Sequence, residues 1–304
     1  NQNNVPSLVM DIHSSGDAVP GRELGILAID TERGTRFFFD ADDGVNGREL
    51  WVSDGTAVGT TMLGDMESGD AIDWTSEITP WMNGAVFTTH GQQGHRIWWT
   101  NGSVTTSIWQ APWFSGTVSS DLLNQSTSLS SFGQGLLRGD AFGLWFAAKD
   151  AQAGLEMISL SNDGVLHIHD LQPFGDSSPS QGLSVDGGFV VAASDGTGRQ
   201  LAKLDYNGGH QWLTSMTREG TTTPVSVMAP AFGIQQLGDT IVFDAVHRGA
   251  DATLFGYALT TGVLEELSTN ILAPGHSNEV VSDGTTIWFD LSLIHISEPT
   301  RHTR

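Results

Sequence analysis

Apolar residues in this chain come in short alternating runs, and most runs stop at a turn containing Gly. "FFFDADDG" around Phe39 is one such run. "AVFTTHGQQG" around Phe87, "LWFAAKDAQAG" around Phe146, "FVVAASDGTG" around Val191, "IVFDAVHRG" around Phe243 and "TIWFD" around Phe289 follow at intervals of about 50 residues. Alternation with period 2 predicts strands that present opposite faces to opposite sides of a sheet. After each turn a further strand is predicted: "RELWVS", "HRIWWT", "LEMISLS", "RQLAKLD" and "TLFGYAL". A second tight turn follows at Asp54-Gly55, Asn101-Gly102, Asp163-Gly164, Asn207-Gly208 and Thr261-Gly262. Such pairs supply the positive φ angles that short hairpins need.

A third strand comes next, for example "TTMLGDM" or "VLHIHDL", and an upstream strand such as "LGILAID" precedes each anchor. Four antiparallel strands per repeat predict an all-β fold, a β-propeller of four-stranded blades. One such sheet cannot bury both faces by itself, so neighbouring sheets must stack. The pattern predicts five full blades. "NEVVSDGTTIWFD" supplies two strands of a partial sixth, and "PSLVMDIHSSGD" at Pro6–Asp17, which matches "TTMLGDMESGD", supplies its last strand. A six-bladed or near-closed ring is expected, formed by residues 1–290 as a single domain. An open five-bladed arc is the alternative. "PFGDSSPSQ" and "REGTTTPVSVMAP" are expected to be connections between blades.

The end of the chain, "LSLIHISEPTR" and the three residues after it, resembles the in-frame translation of a transposase-type sequencing adapter. Residues 291–304 are therefore taken as a non-native tail and left out of the fold. The resemblance implies an open reading frame from shotgun environmental DNA, with a natural chain that continued past Asp290.

"RELWVSDGTAVGT", Arg48 to Thr60, closely resembles the Glu-Leu-Trp-x-x-Asp-Gly-Thr (ELWxxDGT) repeat family. Glu49, Leu50, Trp51, Asp54, Gly55, Thr56, Gly59 and Thr60 carry the match, which is clearest over residues 8–70. Later repeats keep the spacing and lose the wording. Members are repetitive bacterial and archaeal proteins, generally expected to be exported or cell-surface. The resemblance implies a repeat scaffold at that location and transfers no activity.

Charge narrows the partners. Asp and Glu number 35 against 13 Lys and Arg, a formal net charge of −22. Such a surface repels phosphate backbones, so no nucleic-acid or anionic-membrane partner is expected. No run is apolar for long enough to insert into a membrane as a helix. There is no Cys, which excludes disulfides and thiolate metal sites.

Two sets of side chains stand out as candidate sites. Asp40, Asp42, Asp43 and Asn46 surround Gly44 and Gly47, and hard oxygens on a tight turn suit Ca²⁺. The spacing is not that of an EF-hand loop, and a hairpin turn built on Asp and Asn side chains explains the same residues. Trp98, Trp99, Trp109 and Trp113 cluster in the second repeat, where packing between sheets competes with an aromatic platform for a glycan or peptide. His90 with His95, and His167 with His169 and Asp170, are pairs of imidazoles short of a third metal ligand. "NGS" at Asn101 and "NQS" at Asn124 fit the glycosylation pattern. No nucleophile elbow, phosphate loop or HExxH is present. The expected function is a non-enzymatic extracellular or cell-surface scaffold for protein or glycan binding, with calcium as a candidate stabiliser. The alternative is a propeller-fold polysaccharide hydrolase or lyase with carboxylates at its central channel.

Overall fold

The computed structural model describes residues 7–66, 78–91, 94–110, 137–150, 153–217, 234–248, 251–272, 280–282 and 286–289. The regular elements among them are β-strands, with no helix. The first sheet holds β1 (Ile26–Thr31), β2 (Gly34–Asp42), β3 (Arg48–Ser53) and β4 (Thr61–Met62). The second holds β5 (Thr79–Trp81), β6 (Gly84–Gly91), β7 (Gly94–Thr100) and β8 (Thr105–Gln110). The third holds β9 (Arg138–Gly139), β10 (Gly143–Asp150), β11 (Gly154–Ser161) and β12 (Leu166–His169). In the fourth are β13 (Gly182–Val185), β14 (Gly188–Ser194), β15 (Arg199–Leu204) and β16 (His210–Trp212). In the fifth are β17 (Gln235–Leu237), β18 (Thr240–Arg248), β19 (Asp251–Ala258) and β20 (Leu264–Leu272). A pair, β21 (Val280–Ser282) and β22 (Ile287–Phe289), follows. Each four-stranded sheet is an antiparallel meander with its strands in sequence order.

The ladder register reproduces the repeat read from the alternation. Phe39, Phe87, Phe146, Val191 and Phe243 face Trp51, Trp98, Ile158, Ala202 and Phe255 across equivalent strand pairs. All five Gly of the second tight turns have positive φ, from 69° at Gly262 to 88° at Gly208. The connection over 173–181 carries no strand, as expected, and 218–233 lies outside the described residues. So does the tail, 290–304.

Contacts divide the chain into two compact units. One comprises Asn1–Ser180 with the short segment Asp205–Gly209, and the other Gln181–Leu204 with His210–Arg304. In the first unit, alternation sends Phe38, Leu50 and Val52 to one face of the first sheet. They pack there with Ala85 and Phe87 of the second sheet. Val86 and Ile97, on the second sheet's other face, pack with Leu144, Phe146 and Ile158 of the third. Each such Val, Leu, Ile or Phe side chain, buried fully, contributes roughly 1.5–3 kcal/mol. In the second unit Val190, Ala192 and Leu201 meet Ile241, Phe243 and Phe255 in the same manner.

The strand expected at Pro6–Asp17 is not formed over its described part, 7–17. Met10, Ile12 and Ala18 instead pack on Phe39, Ala41 and Trp51, the first sheet's remaining face. Just after it, backbone hydrogen bonds from Gly21 to the Asp40 carbonyl and from Asp42 to the Ala18 carbonyl tie the chain to β2. The segment thus covers that face with side chains and makes no ladder of its own.

A second recurring device ties connections to sheets. Glu49, Glu156 and Gln200 occupy the same register position and are almost fully buried. Glu49 Oε2 accepts the Met66 N–H at 3.3 Å. Glu156 accepts the Leu171 N–H at 3.0 Å and the Ser177 N–H at 2.9 Å. Gln200 Oε1 accepts the Met216 N–H at 3.0 Å, while its Nε2 donates to the Met216 carbonyl. Met66 and Met216 then join the core that each sheet shares with the next. Burial raises the Glu156 carboxyl above the ordinary carboxylate range, against the lowering effect of these donors.

Candidate ligand-binding site

The β1–β2, β5–β6 and β7–β8 turns lie at one end of the first two sheets. Between them is a cleft of about 140 Å³ lined by Thr31, Glu32, Arg33, Met82, Asn83, Trp99 and Asn101. Arg33 bridges two of the turns by donating from Nη1 to Ser103 Oγ at 2.9 Å. A guanidinium carries five N–H donors, so others are left to face the cleft.

Trp99 is held in place. Its indole N–H donates to the Trp81 carbonyl at 3.1 Å. Gly84 packs against the same edge, where an added Cβ would lie 2.9 Å from Nε1 and 2.2 Å from the Thr100 carbonyl. The Met82-Asn83 loop has φ of 47° and 57°, both positive. That is the two-residue hairpin geometry usually given to Asn-Gly, and Met adopts it only against steric resistance.

Of the aromatic set expected to form a platform, Trp99 packs partly against the core shared by the second and third sheets and also lines the cleft, while its neighbour turns to the other face. Trp98 points to the opposite face of β7, packs with the first sheet's core, and donates its N–H to Thr89 Oγ1 at 2.8 Å. Arg96 covers its ring at 5.7 Å. Trp109 faces Ile97 in the β7–β8 ladder. The Trp109 side chain and all of Trp113 lie outside the described residues. Among the cleft's polar residues, Asn101 stood out in the sequence only as a turn residue and a glycosylation pattern, and the others did not stand out, because turns of two different repeats supply them.

The acidic set is engaged in holding backbone. Asp40 is fully buried, pairs with Arg48, and accepts the N–H groups of Glu23 and Leu24. Asp42 Oδ1 accepts the Gly44 N–H at 2.7 Å. Asp43 Oδ1 accepts the N–H groups of Val45 and Asn46, and Oδ2 accepts the Asn46 side-chain amide. Donation from Asn46 is the main reason that the Asp43 carboxyl sits below its usual value. Among the described residues, no three His, Asp or Glu side chains gather where a metal ion would be held.

The family-like "SDGTAVGT" is a self-contained turn. Asp54 Oδ1 accepts from the N–H and the hydroxyl of Thr56, and the Thr60 hydroxyl closes the loop onto the Thr56 carbonyl. "SDGTG" at 194–198 repeats the first part at a different place in its sheet, with Asp195 accepting from Thr197 and Gly198.

At the same end of the third sheet, Asp140 gathers a second set of groups. It accepts the Tyr206 hydroxyl at 2.7 Å, the Trp145 indole N–H at 3.2 Å and the Phe142 N–H at 2.8 Å. Burial, and then the bond to Asp140, push the Tyr206 phenol up. His169 is buried beside Trp145, its Nε2 3.0 Å from Ser159 Oγ. His167 lies over Gly208 instead, so the two imidazoles have different surroundings. His90 and His95 are cross-strand partners. Their side chains lie outside the described residues.

No family model matches this sequence, and no curated protein matches it. Solved structures do. Prolyl oligopeptidase B from Galerina marginata, as the apo protein, aligns with a TM-score of 0.52 at 10% identity, covering 88% of this chain and 38% of that one. The same enzyme bound to a 25mer macrocyclization substrate gives 0.51 at 10% identity, with the same coverage. TolB from Acinetobacter baumannii aligns with a TM-score of 0.39 at 14% identity, over 80% of this chain and 54% of that one. The chain thus spans from under two-fifths to about half of the structures that it resembles. Identities this low speak for fold alone: the chain has a β-propeller-like, all-β fold.

Proposed function

We propose that this chain is an extracellular or cell-surface β-propeller scaffold that binds a protein or glycan ligand and carries out no chemistry of its own. The observation that carries this reading is the cleft at Trp99: an aromatic ring fixed by two neighbouring contacts and ringed by polar side chains on tight turns. The carboxylates point the same way. Glu49, Glu156, Asp40 and Asp140 each hold N–H or O–H groups of the fold, a structural use of carboxylates rather than one open to a substrate. Location rests on the ELWxxDGT resemblance over residues 8–70 and on an acidic surface, which is tolerated well in a salty medium. The five sheets are taken as five blades, and β21–β22 as part of a sixth.

The test is to incubate the full chain with a panel of soluble and insoluble polysaccharides, then score retention and new chain ends in the same tubes. Retention with no new ends is the expected result. New reducing ends would assign a hydrolase instead, and new unsaturated ends a lyase. If no polysaccharide is retained, the ligand is a protein or the proposal fails.

A further inference from the structure

The chemistry of the cleft names a ligand class. Its lining carries one cation, Arg33, and one anion, Glu32, with two carboxamides, Asn83 and Asn101, one hydroxyl, Thr31, and one indole, Trp99. We infer that the cleft binds one ring of a neutral glycan, its C–H face laid on Trp99 and its hydroxyls bonded to Arg33, Glu32 and Asn83. The inference rests on the scaffold reading above and narrows it to one site and one class.

The physical reasons are separate from one another. A pyranose has an apolar C–H face and a rim of hydroxyls that both donate and accept. An indole face with a polar surround complements that shape, as amphipathic aromatic rings do at wet interfaces. Charged lining groups that balance give no preference for an ionic ligand, and the chain's net charge of −22 disfavours a polyanion. An apolar peptide side chain would need an apolar pocket, and only Met82 and Trp99 are of that kind here.

Preorganisation supports a binding role. Trp99 is fixed by the Trp81 carbonyl, and a hydrogen bond to Ser103 orients the exposed Arg33, so less freedom is lost on binding. Met82 holds a φ of 47°, which a Gly would adopt with no steric penalty. Strain of this kind collects at ligand sites, where side-chain placement outweighs backbone ease. A contact of one sugar ring is small, and its dissociation constant is expected on the order of 1 mM.

The experiment is titration of the full chain with cellohexaose, xylohexaose and mannohexaose, with hexagalacturonate as the acidic counterpart, followed by calorimetry and by Trp fluorescence. Asn83→Gly keeps the positive φ and removes the amide, and Arg33→Ala removes the bridging guanidinium. Val263→Ser, at an exposed site in the β19–β20 turn, is the control. The expected result is that at least one neutral hexasaccharide binds and changes the fluorescence. Asn83→Gly and Arg33→Ala should each weaken it about tenfold or more with unchanged melting temperatures, and Val263→Ser should leave it intact. Neutral binding that neither cleft variant alters would overturn this site and leave the scaffold reading standing. A preference for hexagalacturonate would overturn the ligand class. Absence of all four interactions would overturn the inference, and chain cleavage during titration would overturn the scaffold reading as well.

Discussion

Met82 sits at a backbone angle that opposes its side chain, and the opposition has a measurable size. An L residue in the left-handed region costs roughly 1–2 kcal/mol, and Asn less, because its amide bonds locally to the backbone. Met82→Asn should therefore raise stability by about 0.5–1 kcal/mol in urea unfolding. A fall would mean that Met82 packing outweighs the strain. Glu156 makes the opposite case, a residue whose chemistry is tied to its place. Both of its oxygens accept N–H groups, so Glu156→Gln turns an amide N–H₂ toward a buried donor and should cost about 1–3 kcal/mol near neutral pH. Because burial raises the Glu156 carboxyl, the folded state holds its proton more tightly than the unfolded state does. Its stabilising share is thus complete below the unfolded value, 4.5, and is lost as pH rises through the folded one. The gap between wild type and Glu156→Gln should accordingly shift with pH, in favour of wild type on the acid side. For Asp42, Asp43 and Asn46, engagement with backbone donors leads to a plain expectation: calcium against chelator should leave the melting temperature unchanged. A calcium-dependent rise would mean that these turns reorganise around the ion.

Strands, turns and connections have separate jobs. Strand alternation decides which side chains enter which interface, and the tight turns decide how sheets interlock at the cleft end. Gly102, with φ of 82°, lies in the β7–β8 turn and packs on the first sheet: an added Cβ would stand 3.2 Å from Val52 and 3.6 Å from Phe38. Gly55, with φ of 87°, has the same backbone geometry in the first sheet and nothing within 4 Å. Ala at either position carries the left-handed penalty of roughly 1–2 kcal/mol, and at 102 it also meets the neighbouring sheet. Thermal unfolding of the two variants should therefore place Gly102→Ala below Gly55→Ala. Equal melting temperatures would mean that the turn moves aside freely. Connections act through the buried Glu or Gln of the third strand, which fixes the backbone of a Met or Leu beyond the sheet. The two-residue spacing behind alternation was plain in the sequence. The connection latch was not, because Glu49 and Met66 are joined only by the turn of the chain between them.

Charge acts on the molecule as a whole. At a net charge of −22, self-repulsion opposes compactness, and salt relieves it by shortening the Debye length from about 30 Å at 0.01 M to about 3 Å at 1 M. The melting temperature should rise with sodium chloride over that range, and a flat response would mean that local turn bonds outweigh the collective field. Acid works against the fold through the turns. The carboxyls of Asp43, Asp54, Asp163, Asp195 and Asp205 all lie below the ordinary value of 3.8. Thr56 hydroxyl donation leads at Asp54, and Ser161 hydroxyl donation at Asp163. At Asp195 and Asp205, burial pushes upward and turn donors overcome it. A lowered folded-state value contributes stability above 3.8 that disappears as pH falls through it. These five oppose the raised Glu156.

The sequence by itself determined the repeat, its four strands, the turn positions and the β-propeller-like class, since each follows from local alternation and from turn residues that need positive φ. It also placed aromatic residues in the second repeat. Only tertiary structure decided their fates: Trp98 and Trp99 are adjacent, yet strand pleating turns Trp98 to the first sheet's core and Trp99 to the third sheet's core, where it also lines the cleft. It also decided that Asp40 serves Arg48 and the N-terminal segment, and that Arg33, Asn83 and Trp99 share one cleft. Such groupings depend on which turns neighbouring sheets bring together, and a pattern along one strand carries no record of the neighbour.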